Sequence, residues 1–322
     1  MAESPFWVNE VYSLGYWLKD YAYYPKHWTL YNYMDHGNTF SDTIPTDEKE
    51  NNAPFIFKFS PRLVAEYKTV SKKPVYGIVN PIIHCRRVKK IEQQKDAKGT
   101  LFYVAHSTDM IDDKTNWDSF IATLDNIPDK FKPIDICLHN HDIIKGLDKI
   151  FEYKGYKVFS SGDPLAIEFA EKMYTMLMRY QFTMSNILGS YLFYSVEMGI
   201  PFSLFGPEPD YFNKGDMNME LGIYSSYKNQ PTHLRALKMF SGFHTVITSE
   251  QNDFVNFELG KYHTISRFHT AALLYTSAFW YNIKRPFIGL KNLAMRVYQR
   301  VKRIFLTAKI AGQGKVGRDF RN

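Results

Sequence analysis

Between Leu101 and Phe205 the sequence alternates short apolar runs with stretches of helical spacing, and no other feature narrows the fold so far. The runs are Leu101–Ala105, Ile134–Leu138, Tyr156–Phe159, Phe182–Met184 and Pro201–Phe205. Between them, Trp117–Ile127, Ile143–Phe151, Pro164–Tyr180 and Gly189–Met198 carry apolar residues at helical intervals. The third opens on a proline, which suits a first helical turn. Strands separated by helices pair in parallel, because each crossover returns the chain to the same end of the sheet. The expectation is an α/β fold whose ligand lies outside the carboxyl ends of the strands.

The rest of the chain divides around that block. Residues 1–99 read as an N-terminal domain, residues 100–258 as the parallel-sheet domain, and residues 259–322 as a basic helical region. The first part opens with an aromatic helical segment containing Tyr12, Tyr16, Trp17 and Tyr21. A polar loop follows from Asp42 to Asn52, then strand-like runs at Phe55–Phe59 and Val75–Val79. The charged stretch from Arg86 to Lys98 lacks a steady apolar face and ends in Gly99, which marks a boundary. The aromatic rings near the N-terminus suit either helix-on-sheet packing or stacking on a sugar. Only Cys85 and Cys137 are present, which excludes a disulfide framework and fits a reducing, cytoplasmic setting. The start has no basic-then-apolar pattern, so no signal peptide is expected.

Polar residues gather where the carboxyl ends of the strands would be. They are His106-Ser107-Thr108-Asp109, His139-Asn140-His141-Asp142, Ser160-Ser161-Gly162, Ser185-Asn186 with Gly189-Ser190, and Gly206-Pro207-Glu208. The segment from Thr183 to Ser190 is the most informative. A small-residue turn that feeds a helix presents backbone N–H groups and a partial positive charge to an anion. Glu197 returns to the face of Ser190 two turns later, within reach of ribose hydroxyls. His139 and His141 alternate as a zinc pair would, but no third ligand is near in sequence, so no metal is expected. The chain has no Gly-x-x-x-x-Gly-Lys-Ser/Thr and no Gly-x-Ser-x-Gly. Their absence argues against nucleoside-triphosphate hydrolysis and α/β-hydrolase chemistry.

The run Ser185, Gly189, Ser190, Glu197, Gly199 and Pro201 resembles the donor-site element of GT-B glycosyltransferases and UDP-sugar 2-epimerases. With the His106-Ser107 loop, it is also similar to capsule and lipopolysaccharide transferases, including those that use CMP-sugars. The resemblance implies a GT-B-like, Rossmann-type donor domain beside a smaller acceptor-side domain. It also implies a nucleotide-sugar as substrate, with no separate cofactor. Ser107, Thr108, Gly162, Ser185, Asn186, Gly189 and Ser190 would bind the donor, and Glu197 would hold its ribose. His106 would stabilise the leaving group, and His36 or Asp35, in the turn Asp35-His36-Gly37, would be the acceptor-side base. His139, His141 and Glu208 are possible additions. The acceptor would be a surface polysaccharide or a lipid-linked glycan. The His-Gly pair is also similar to teichoic-acid type glycerophosphotransferases, so a CDP-alcohol phosphotransferase is the alternative. A non-catalytic subunit of a polysaccharide assembly complex is a third.

The net charge of +7 is unevenly placed. From Leu259 onward there are thirteen lysines and arginines and one acid, Asp319. Residues 288–310 set Leu290, Leu293, Val297, Val301 and Ile304 on one helical stripe flanked by basic side chains. That pattern suits an amphipathic helix lying on an anionic membrane through residues 286–310. The expected location is peripheral, on the inner face of the cell membrane. The stretch from Phe268 to Ile283 is too short and too polar to span a bilayer. No nucleic-acid module accompanies the charge, so nucleic acid is not expected as a partner.

Overall fold

The structure is a computed structural model and describes residues 4–215 and 228–283. The chain forms two compact units, residues 1–274 and 275–322. In the first unit, α1 (Leu14–Tyr21) is followed by β1 (Tyr33–Met34), α2 (Thr46–Glu50), β2 (Ile56–Lys58), α3 (Pro61–Val70), β3 (Val75–Gly77) and α4 (Pro81–Lys89). Next come β4 (Thr100–Tyr103), β5 (Ile111–Asp113), α5 (Trp117–Asp125), β6 (Ile134–Cys137), α6 (Asn140–Ile144), α7 (Leu147–Tyr153) and β7 (Val158–Phe159). The last are α8 (Phe169–Leu177), β8 (Phe182–Ser185), α9 (Ser190–Glu197), β9 (Phe202–Leu204), β10 (Tyr211–Asn213), α10 (Pro231–Phe240) and α11 (Ser249–Glu258).

All five apolar runs become strands of one parallel sheet, in the order β7-β6-β4-β8-β9. β4 lies at its centre, and all four of its residues are buried. That is why its sequence shows no polar alternation. One face packs Phe102, Phe120, Leu124, Phe131, Ile136 and Phe151 into a single apolar cluster. Helix starts follow their sequence cues. Asn116 accepts from the Ser119 N–H at the head of α5, and Asn80 does the same for Ile82 at α4 with Pro81 in the first turn. Two expectations need revising. The helix expected over Ile143–Phe151 is broken into α6 and α7 at Gly146, whose φ of +84° places it in the left-handed region. The helix expected from Pro164 begins only at Phe169, because residues 164–168 form turns.

The N-terminal part contributes a separate three-stranded parallel sheet, β1-β2-β3. The polar loop expected over 42–52 contains α2, and the first third of the charged stretch from Arg86 belongs to α4. α4 buries Ile82, Ile83 and Cys85, so its apolar face lies upstream of the charges. A short antiparallel ribbon, β5 with β10, joins the loops after β4 and β9. Among the described residues, no helix is long and apolar enough to cross a membrane. The amphipathic stripe expected over 288–310 lies outside the described residues.

The N-terminal sheet is built around a buried charge cluster. Lys58 of β2 is 1% exposed and donates to Asp35 Oδ1 at 2.6 Å and to the Glu48 carboxylate. Asp35 Oδ2 accepts from the Phe59 N–H at 2.9 Å. One ammonium thus serves two buried carboxylates. Burial pushes Glu48 up to about 7, against the pull of Lys58 and with help from Asp35. Glu48 therefore binds its proton more tightly in the folded chain than in the unfolded one. Its stabilising contribution is complete below the ordinary glutamate range and is lost as pH rises through about 7. Glu48→Gln keeps the protonated shape. Its melting temperature should match the parent near pH 5 and exceed it progressively toward about pH 8, as read by thermal denaturation across pH.

Candidate functional site

The carboxyl ends of β4, β6, β7 and β8 open into one cleft of about 220 Å³. Its walls are mostly aromatic and aliphatic: Tyr12, Tyr103, Leu138, Phe169, Leu188, Tyr191 and Tyr194. Polar groups enter from His106, His139, Ser160, Ser161, Gly189 and Ser190. Among the described residues, no lysine, arginine, aspartate or glutamate lines it. Cys137 does line it, but burial pushes its thiol up to about 12, so it is not a thiolate nucleophile.

Three imidazoles stack at one side. His106 and His139 lie 4.6 Å apart between ring centroids with planes 26° apart, and His139 and His141 lie 5.1 Å apart at 22°. Rings stacked in this way send their nitrogens outward in separate planes, not toward a common point. Among the described residues, no three histidine, cysteine or acidic side chains form a metal-ligand group. His106 Nδ1 lies 3.1 Å from the Ser107 carbonyl, which can only accept, so Nδ1 carries a proton and Nε2 is free to act. His139 Nδ1 accepts from the His141 backbone N–H at 3.3 Å, which puts the His139 proton on Nε2. Burial, then the neighbouring His106 and His141, pushes His139 down to about 3, so it stays neutral. His141 also meets Asp109 at 3.4 Å.

The loop residues divide into those that face the cleft and those that shape it. Gly162, at φ +82°, donates its N–H to Ser160 Oγ at 3.0 Å. Gly189 caps α9 in extended backbone, and a Cβ there would fall 2.5 Å from the Tyr191 ring. Ser190 Oγ donates to the Asn38 carbonyl at 3.0 Å. The other candidates are engaged by the fold. The Ser107 hydroxyl donates to Asp142 Oδ1 at 2.6 Å and accepts from Lys145 at 2.9 Å. Thr108 Oγ1 accepts from the N–H groups of Met110 and Ile111. Tyr191 gives its one proton to the Ile187 carbonyl, so the fully buried Ser185 donates to Tyr191 at 2.7 Å. Asn186 accepts from the Ala105 N–H at 2.9 Å and donates to the Pro207 carbonyl at 3.0 Å. Ser107, Thr108, Ser185 and Asn186 therefore hold the loops in place.

Three of the expected residues are engaged by the fold or lie elsewhere. Glu197 is 1% exposed, bidentate to Arg86 at 2.7 Å and 3.4 Å from Lys261, so it has no oxygen to offer a ribose. The helical count placed it on the expected face, but the Arg86 partner lies 111 residues away in sequence. Asp35 is buried, with one oxygen on Lys58 and the other on the Phe59 N–H. Glu208 is exposed, pairs with Lys228 and lines a separate cavity of about 320 Å³ beside β9. His36 remains available. It is exposed and rests against the Trp7 ring at 5.0 Å. Its neighbour Gly37 lies so close to Ser190 that a Cβ would come 2.8 Å from the serine oxygen.

The sequence reading missed the aromatic half of the cleft. Tyr12 and Ser13 hold φ of 56° and 58°, a left-handed strain costing about 1–3 kcal/mol per residue. The strain is held by the Tyr12 N–H on the Pro164 carbonyl and the Ala170 N–H on Ser13 Oγ. The turn delivers Tyr12 to the cleft, with its ring 4.9 Å from that of Phe169. Tyr103 and Tyr191 stack 4.5 Å apart at 4°. The only cue to Tyr12 was the aromatic richness near the N-terminus.

No protein-family model matches the chain, and no curated protein matches it. Among solved structures, it is similar to two of the wall teichoic acid polymerase TagF. One, a histidine variant soaked with CDPG, is 10% identical with a TM-score of 0.33, covering 75% of this chain and 64% of that one. The other is 11% identical with a TM-score of 0.38, covering 78% and 68%. The chain thus spans less than two thirds of the first of these.

The Glu197 geometry yields a direct test. Glu197→Ala leaves Arg86 and Lys261 facing a buried void and should destabilise the fold by about 3–5 kcal/mol, read by chemical denaturation. A variant of unchanged stability would return Glu197 to the ligand-binding set.

Proposed function

We propose that this chain is a GT-B-like glycosyltransferase that moves a sugar from a nucleotide-sugar donor to a surface-polysaccharide or lipid-linked acceptor. The observation that carries this reading is one cleft, at the strand ends of a parallel sheet, that combines aromatic walls with polar loops and a helix start. In it, the loop Ser160-Ser161-Gly162 and the head of α9 at Gly189-Ser190 hold the donor phosphates. His106, exposed and with Nε2 free, stabilises the leaving group. His36, beside Gly37 and Ser190, approaches from the N-terminal side as the acceptor base. The reaction needs no metal in this scheme. The basic segment over residues 286–310 holds the enzyme on the inner face of an anionic membrane, which vesicle flotation of the full chain tests.

A second reading, transfer of an alcohol phosphate from a CDP-alcohol, rests on the resemblance of the His36-Gly37 pair to teichoic-acid type glycerophosphotransferases. Thermal-shift screening against UDP-, GDP-, CMP- and CDP-linked compounds separates the two by donor, and a chain that binds none of them is a non-catalytic subunit. With the donor found, His106→Ala and His36→Ala should each lower turnover by about 10²–10⁴. His36→Ala should leave donor affinity unchanged. Near-normal turnover in both variants would remove the cleft from the chemistry.

A further inference from the structure

Two polar atoms on residues that line the cleft have no hydrogen-bond partner among the described residues. They are the Tyr103 hydroxyl and His139 Nε2, and both residues line the cleft. They sit on neighbouring strands: Tyr103 closes β4 opposite Cys137 of β6, and His139 follows two residues later. Buried polar groups are paired in native proteins, so two orphans in one cleft call for a ligand that satisfies both. Their chemistry is defined. His139 carries its proton on Nε2, because Nδ1 accepts from the His141 amide, and it stays neutral with its pKa pushed down to about 3. The Tyr103 hydroxyl keeps its proton, because burial raises it well above the ordinary tyrosine value. The protein therefore presents two neutral donors.

The surroundings decide what accepts from them. Tyr12, Phe169, Leu188 and Tyr191 wall the same cleft, and among the described residues no charged side chain lines it. A diphosphate placed here would lose its hydration with no counter-charge to replace it. A flat, uncharged heterocycle with acceptor atoms on its edge loses little, and it gains ring contacts along its faces. The cleft, at about 220 Å³, lies below the ~300–1,000 Å³ of ordinary ligand pockets, which favours one ring over two.

We infer that the part of the cleft at the Tyr103 hydroxyl and His139 Nε2 is a pyrimidine-nucleobase subsite. Tyr103 Oη–H and His139 Nε2–H donate to acceptors on the base edge, and the phosphates lie outward, toward His106 and Gly189-Ser190. This deepens the proposed function and rests on the cleft being its nucleotide site. It assigns the aromatic residues to recognition of the base and leaves the polar loops to the charged part of the donor.

Free nucleosides test it, because they carry the base without the phosphates. Binding of cytidine, uridine, adenosine, guanosine and inorganic pyrophosphate to the full chain is measured by calorimetry and by competition with the donor nucleotide. Pyrimidine nucleosides should bind and compete, and purine nucleosides should bind more weakly. Tyr103→Phe and His139→Phe keep a ring in place and should each weaken pyrimidine binding by about 2–10-fold, leaving pyrophosphate unchanged. Three results would overturn the inference: purines equal to or tighter than pyrimidines, nucleosides that do not bind, or variants that lose pyrophosphate and keep nucleoside. The ranking of bases on the parent chain stands even if a variant fails to fold. A chain that binds pyrimidine nucleosides in the expected way but transfers no sugar keeps the subsite and loses the transferase. Transfer with base binding indifferent to both variants does the reverse.

Discussion

Five parallel strands can share one hydrogen-bonded sheet only if the chain re-enters each of them from the same end. In this protein that constraint delivers the loops after β4, β6, β7 and β8 to one edge, where their side chains meet in the cleft. The loops are then fixed by bonds that have no part in chemistry. Asn186 ties the β4 loop to the β9 loop, Asp142 and Lys145 grip Ser107, and Tyr211 of β10 donates to the His106 carbonyl at 2.8 Å. A site built from four loops keeps its shape because bonds of this kind tie each loop to its neighbours.

Charge is kept out of the cleft and used elsewhere. Lys58 with Asp35 and Glu48 centres the N-terminal sheet, Arg86 with Glu197 joins α4 to α9, and Arg62 with Glu258 and Asp42 joins α3 to α11. Pairs of this kind gain little over apolar packing, but each is costly to break from one side, so they fix which surfaces meet. Through them the N-terminal layer is held where Tyr12 reaches the cleft and Gly37 touches Ser190. What remains inside is aromatic surface, stacked imidazoles and two unpaired donors, an environment in which directional hydrogen bonds are strong.

The sheet was legible because its signal is local. Each strand of β4, β6, β8 and β9 is an apolar run bounded by turns, and each run can be read without knowing its neighbour. The cleft's position followed from the same rule, and His106, Gly162, Gly189 and Ser190 were found in that way. Partnership over long separations was not legible. Glu197 has the spacing of a ribose ligand until Arg86 is seen against it, and Asp35 looks like a base until Lys58 is found on the next strand. Tyr103 was hidden for a different reason. It ends a buried strand and reads as core, and only the lack of a partner for its hydroxyl distinguishes it. The order of strands and the left-handed turn at Tyr12-Ser13 also depend on contacts that no single segment encodes.

The central claim is that the strand-end cleft is the nucleotide site, and the structure of the chain with a bound donor nucleotide tests it most directly. In that structure the base should lie at the Tyr103 hydroxyl and His139 Nε2, with the phosphates running outward past His106 and the start of α9. A nucleotide found instead in the cavity beside β9, against Glu208, Lys228 and His233, would contradict it.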